Sequence, residues 1–145
     1  LLGLPSVTGK VFSVNALRDD GLPLLPRHEV RTHAPVTPRT IGLADALNHF
    51  RSHAALFLDA RADYEFETGH IPGAWSVPKG KRADLIGRLQ GRAEPLFITY
   101  CSDEQCQLAE ELAEELRLSG IMNVRVMREG WLAWSNAGFP VEGQP

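Results

Sequence analysis

Leu96-Phe97-Ile98-Thr99-Tyr100, then Cys101-Ser102-Asp103-Glu104-Gln105-Cys106, then the run from Gln107 to Ser119, is the stretch on which the chain is organised. The first five residues are apolar or β-favouring without polar alternation. That pattern suits a short strand covered on both faces, as in a parallel sheet; a buried helix segment is compatible with the same periodicity, and length favours the strand. Beyond the loop, Leu108, Leu112 and Leu116 recur every four residues with Ala109 and Ala113 beside them. Glu110, Glu111, Glu114 and Glu115 fall on the other side, so the spacing predicts an amphipathic helix ended by Ser119-Gly120. A cysteine at the last position of a buried strand, before a polar loop that turns into a helix, occupies the place where open α/β sheets hold ligands. Backbone N–H groups of such a loop and first helical turn lack intrahelical partners and can stabilise a sulfur anion. Taken alone, Cys101 also reads as a small buried apolar residue.

Working outward, Leu43, Ala46, Leu47 and Phe50 have helical spacing and predict a helix of about nine residues. Ala55 to Asp59 reads as a central strand that ends in an acid, Ala74 to Val77 as another strand, and Val124 to Met127 as the fifth. Short helices are expected over Asp84–Leu89 and Trp131–Asn136, with Trp131 and Trp134 as core filling. Gly69-His70-Ile71-Pro72-Gly73 is a turn, since Pro72 fixes φ and the glycines permit positive values. Strands alternating with helices give an α/β three-layer sandwich whose mostly parallel five-stranded sheet is flanked by helices. The C-terminal ends of its strands should gather Asp59, Cys101 and the loop 102–106 on one face.

Composition bounds the function. With 145 residues, 43% apolar and 23% charged, the chain is long enough to bury a core. A net charge of −3 supplies no basic field for nucleic acid, and no run approaches the 18 apolar residues of a membrane helix. Two cysteines cannot build a disulfide framework, and a Cys-x4-Cys pair has too few ligands for a structural metal site. No metal or other cofactor is called for. Residues 1–36, with Pro5, Pro23, Pro26 and Pro35, read as an extended arm or linker ahead of a domain over 37–145. The chain begins at Leu1 without methionine, which leads us to expect that something upstream has been removed.

Three motifs in order carry a resemblance. Leu56-Phe57-Leu58-Asp59-Ala60-Arg61 with Glu65-Phe66 and Gly69-His70-Ile71-Pro72-Gly73-Ala74 resembles the first signature of the rhodanese (sulfurtransferase) family. Gly130-Trp131, Trp134 and Ala137-Gly138-Phe139-Pro140-Val141 resemble its C-terminal signature, and Cys101 falls where the family keeps its persulfide-forming cysteine. The resemblance covers Thr37 to Glu142 and implies a rhodanese-like fold. It also implies transfer of sulfane sulfur through Cys101 to a thiol or cyanide-type acceptor, from a small donor such as a persulfide, polysulfide or thiosulfate. Loop amides would hold the sulfur anion, and a helix N-terminus would lower a thiol pKa that is ordinarily roughly 8.5. Asp59 then reads as a structural acceptor for Arg61 or backbone N–H groups, with a general-base role as the lesser reading. His70 reads as a framework residue, with a Cys/His nucleophile pair as the lesser reading. Ser102 to Gln105 also fits a capping box that would start the helix at Asp103; the resemblance places the start later.

The loop departs from the family. Where many members carry an arginine, this chain has Cys106, and Asp103 and Glu104 replace basic residues. Two carboxylates oppose an anionic donor and oppose thiolate formation, or they simply compensate the helix dipole. Cys106 is either a resolving thiol that attacks the persulfide on Cys101 and releases hydrosulfide, or a residue seating the helix on the core. An open loop should hold the two cysteines apart, so they are expected to be unbridged at rest. A cysteine phosphatase would need arginine at position 107, which is Gln107. A non-catalytic rhodanese-like protein-binding or regulatory module is the alternative function. Some bacterial rhodanese-like proteins carry a similar arm after one membrane helix, so the expected location is cytoplasmic, or membrane-anchored and periplasmic.

Overall fold

The structure, a computed structural model, describes residues 39–143; the arm expected over 1–36 lies outside the described residues. Helix α1 spans Leu43–Arg51, strand β1 Leu56–Asp59, helix α2 Asp63–Thr68 and strand β2 Trp75–Ser76. A 3₁₀ turn at Lys79–Lys81 leads into α3, Arg82–Leu89. Strand β3, Phe97–Tyr100, helix α4, Leu108–Leu118, strand β4, Val124–Met127, and helix α5, Gly130–Asn136, complete the chain. The four strands form one parallel sheet in the order β2-β1-β3-β4.

The sheet has four strands and not five: Val124–Met127, expected as the fifth, is formed and is β4. Thr40 makes one isolated parallel bridge to Val126, with Ile41 N donating to the Val126 carbonyl at 3.0 Å and Val126 N to the Arg39 carbonyl at 2.9 Å. One rung is all the pairing there is before Gly42 opens α1. Helix α2 is an addition, because six residues are too few to show a helical period in sequence.

Every residue of β1 and of β3 is buried, and the alternation expected of a one-sided sheet is absent because both faces are covered. Leu56, Leu58, Phe97, Val124 and Val126 meet Leu89 of α3 and Ala109, Leu112, Ala113 and Leu116 of α4. On the opposite face, Phe57, Ile98, Tyr100 and Met127 meet Ala46 and Leu47 of α1 and Trp134 of α5. Trp134 packs edge-on against Phe50, Phe57 and Phe139 at 5.2–5.6 Å, and its ring N–H donates to the Pro140 carbonyl at 2.7 Å. The C-terminal signature therefore closes this core and satisfies the ring N–H of Trp134.

Helix α4 ends as its sequence demands. Gly120 takes φ +100°, Ile121 N donates to the Leu116 carbonyl at 2.9 Å and Gly120 N to the Arg117 carbonyl at 3.0 Å, a Schellman closure. The exposed-side glutamates all meet cations: Glu110 with Arg128 at 3.0 Å, Glu111 with Lys79 at 3.3 Å, Glu114 with Arg39 at 3.3 Å, and Glu115 with the buried Arg82. Among the described residues, no helix is long and apolar enough to cross a membrane.

Candidate functional site

The connection after β1 carries α2, which packs Phe66 on the Phe57 face, whereas the connection after β3 carries α4 on the Leu58 face. Neighbouring strands whose connections leave on opposite faces open a crevice at their C-terminal ends, where ligands of open α/β sheets bind. A cavity of about 460 Å³ lies there. Arg61, Tyr64 and Glu65 line it after β1, Ser102 after β3, and Trp131 and Leu132 after β4. Three loops far apart in sequence meet at this one place.

The crevice is held by a buried ion pair. Asp59 is fully buried and Arg61 nearly so. Arg61 donates to both Asp59 oxygens, from Nε to Oδ1 at 3.0 Å and from the guanidinium to Oδ2 at 2.7 Å, and its backbone N donates to Oδ1 at 3.0 Å. The guanidinium also donates to the Gly69 carbonyl at 2.7 Å and lies 4.9 Å from the Trp131 ring centre. Burial alone would lower the Arg61 pKa, but its hydrogen bonds and charge contact with Asp59 raise it above the ordinary value. Asp59 thus spends its lone pairs on Arg61, and the pair sets the cavity floor. Glu65 faces Ser102 across the cavity, with Ser102 Oγ 3.5 Å from Oε1.

His70 sits apart from this chemistry. Its Nδ1 donates to the Phe66 carbonyl at 2.6 Å, its ring stacks on Phe66 at 3.6 Å, and Nε2 lies 3.8 Å from Glu142. Main-chain bonds between His70 and Glu142 at 2.7 and 2.9 Å fasten the turn to the chain end.

The loop after β3 corrects one expectation outright. Cys101 and Cys106 are bridged by a disulfide, with Cα atoms 6.1 Å apart. The loop does not hold its ends apart, because it folds on Asp103. The Asp103 carboxylate accepts the Gln105 N–H at 2.9 Å, and the Asp103 carbonyl accepts the Cys106 N–H at 3.2 Å. That turn points Cys106 back toward the strand. Those two amides are therefore engaged within the loop and do not point at the sulfur as free donors in this form. Helix α4 begins at Leu108 with Gln107 as its cap residue, later than a capping box at Ser102 would place it.

Cys101 is 2% exposed and packs in the α3/α4-side core, and neither cysteine is among the cavity's lining residues. The cavity and the disulfide nevertheless share a wall. Trp131 N donates to the Cys101 carbonyl at 2.7 Å and Leu132 N to the Ser102 carbonyl at 2.9 Å, so the orphan donors of the first turn of α5 are satisfied by the cysteine loop. Gly130 permits the approach: it takes φ +76°, and a Cβ there would stand 2.8 Å from the Cys101 and Ser102 carbonyl groups. In the sequence Tyr64 and Leu132 carry no signal of a role and Glu65 appears only within the family signature; Trp131 is half-buried, packs against the core as expected and also forms cavity wall. The exposure of Tyr64, 71%, has no signature in a single sequence.

Comparison with known proteins agrees with this architecture. A family model described as Rhodanese-like domain matches residues 43–137. The HTH-type transcriptional regulator Rv0324 of Mycobacterium tuberculosis is 32% identical over 103 residues, 70% of this chain and 44% of that protein. The protein named "Putative thiosulfate sulfurtransferase SseA" from the same species is 29% identical over 148 aligned positions, 93% of this chain and 45% of that one. The chain thus spans less than half the length of these two relatives. Among solved structures, BH2092 from Bacillus halodurans superposes with a TM-score of 0.65 at 27% identity, over 72% of this chain and 76% of that one. With a parallel α/β sheet, a cysteine at the end of β3 and a family match over most of its described length, the chain belongs to the rhodanese-like domain family.

Proposed function

We propose that this chain is a sulfurtransferase in which Cys101 carries sulfane sulfur and Cys106 resolves it. The observation that carries the reading is the pairing of the two cysteines at the C-terminal end of β3, within disulfide reach at a Cα separation of 6.1 Å. In the reduced chain, the Cys101 thiolate attacks the outer sulfur of a donor persulfide R–S–SH, forming Cys101–S–SH and expelling RS⁻. An acceptor thiol can take the outer sulfur. Alternatively the Cys106 thiolate attacks Cys101 Sγ, the Cys101–sulfane bond breaks, hydrosulfide leaves, and the two cysteines are oxidised to the disulfide as the sulfane sulfur is reduced. The likeness to a protein named as a thiosulfate sulfurtransferase supports the class of chemistry.

A regulatory module is the second reading, favoured by the likeness to a protein named as a transcriptional regulator. One experiment separates the two. The chain is reduced, freed of reductant and incubated with thiosulfate, polysulfide or glutathione persulfide, then examined by intact mass spectrometry. A gain of one sulfur located on Cys101 is the expected result in a Cys106→Ser variant, and in the parent either that gain or donor-dependent closure of the pair with release of hydrosulfide. Neither sulfur gain nor donor-dependent hydrosulfide release from any donor would overturn the transfer reading and leave the module.

A further inference from the structure

We infer that the Cys101–Cys106 disulfide is opened from the Cys106 side, so that an incoming thiolate forms its mixed disulfide with Cys106 and sets Cys101 free. The two sulfurs differ in access. Cys101 is 2% exposed, sits at the end of a central strand among Leu58, Ala109 and Leu112, and has its carbonyl fastened by Trp131 N at 2.7 Å. Cys106 is half-buried, and its chain neighbours Gln105 and Gln107 are exposed. Those neighbours line a hollow of about 350 Å³ with Glu104, Glu110, Glu111 and Arg128. Since thiol–disulfide exchange depends on which sulfur a nucleophile can reach, access selects Cys106.

The step balances. A thiolate RS⁻ bonds to Cys106 Sγ, the bond to Cys101 Sγ breaks, and Cys101 leaves as thiolate. A second RS⁻ then attacks the R sulfur of the mixed disulfide, giving RSSR and the Cys106 thiolate. Two external thiols are oxidised and the pair is reduced. The direction matters, because it returns Cys101, the buried sulfur, as the nucleophile. It also defines the reductant chemically. Glu104, Glu110 and Glu111 line the hollow formed with Gln105 and Gln107, the chain neighbours of Cys106; Arg128 is paired with Glu110 at 3.0 Å, and Lys79 with Glu111 at 3.3 Å. That leaves Glu104 and the nearby Asp103 to favour a cationic or neutral thiol over an anionic one.

This inference deepens the sulfurtransferase reading, since the step would regenerate its thiol, but its test uses no sulfur donor and stands or falls separately. The oxidised full-length chain is exposed briefly to cysteamine, quenched with acid and N-ethylmaleimide, and the adducts are located by fragmentation of the peptide spanning residues 93–117. Extrapolated to zero time, cysteamine on Cys106 with maleimide on Cys101 should exceed the reverse arrangement by about tenfold or more. Equal or reversed labelling overturns the inference. So does a disulfide that cysteamine opens only after unfolding in urea. Mercaptoethanesulfonate should open the bridge more slowly than cysteamine at low ionic strength, and equal rates there would remove the charge preference.

Discussion

At the scale of single residues, the cysteines divide the work and the glycines divide the strain. Replacing Cys101 by serine, similar in volume but unable to hold a persulfide, should abolish sulfur loading in the mass-spectrometric assay and leave the circular dichroism unchanged. Cys106→Ser should still load Cys101, but the persulfide should persist and hydrosulfide release without added thiol should stop; release at the parental rate would return Cys106 to a packing role. Gly120 and Gly130 both have positive φ, at +100° and +76°, yet their surroundings differ. A Cβ at Gly120 meets nothing within 4 Å, whereas one at Gly130 would meet the backbone of Cys101 and Ser102 at 2.8 Å. Gly120→Ala should therefore cost only the left-handed conformation, about 1–2 kcal/mol in urea unfolding. Gly130→Ala should cost clearly more and should also disturb the cysteine loop. Equal losses would mean that the loop yields freely.

At the scale of elements, β3 is paired with β1 by its ladder and tied to the chain that follows β1 by polar atoms. Tyr100 Oη accepts the Ile71 N–H at 3.1 Å, and the Tyr100 ring centre lies 5.9 Å from the Arg61 guanidinium. Asp59→Asn would leave Arg61 buried without its counter-charge, and the expected loss is about 3–5 kcal/mol by denaturant titration. Burial, reinforced by the Asp59 charge, raises the Tyr100 pKa well above that of a free phenol, although the bond from Ile71 opposes the shift. The sign follows directly. In the unfolded chain the phenol ionises near about pH 10, while in the folded chain it stays neutral. Its contribution is thus complete below that pH and is lost as pH climbs toward the folded value. Urea midpoints should fall between about pH 9 and pH 11. The fall should be shallower in Tyr100→Phe, whose own cost is the lost Ile71 bond; an unchanged slope would assign the alkaline loss to other groups.

At the scale of the whole molecule, a net charge of −3 adds to the two acids of the cysteine loop, Asp103 and Glu104. Thiosulfate, a dianion, should be a poor donor. Changing both to Asn and Gln should improve its use most at low salt, where the Debye length is about 30 Å at 0.01 M against about 8 Å at 0.15 M. Asn at 103 keeps an oxygen to accept the Gln105 N–H, so the turn should survive. An unchanged rate of sulfur loading from thiosulfate at low ionic strength would reduce the two acids to loop and helix-start residues.

What was legible in the sequence was whatever has a short-range cause. The run from Phe97 to Tyr100, the four-residue spacing of Leu108, Leu112 and Leu116, the stop at Gly120 and the nine residues of α1 all follow from side-chain period and backbone freedom within a few residues. Three motifs in order sufficed for the family. Tertiary structure decided the rest, because the causes there are distant. The sheet stops at four strands, with a single Thr40–Val126 bridge beyond them, since a strand exists only as far as a partner pairs with it. Cys101 and Cys106 are bridged because the Asp103 turn, and not their spacing, sets the direction of Cys106. Trp131 packs against the core and also walls a cavity, because the N–H groups of Trp131 and Leu132 are satisfied by the Cys101 and Ser102 carbonyls, thirty residues earlier in the chain.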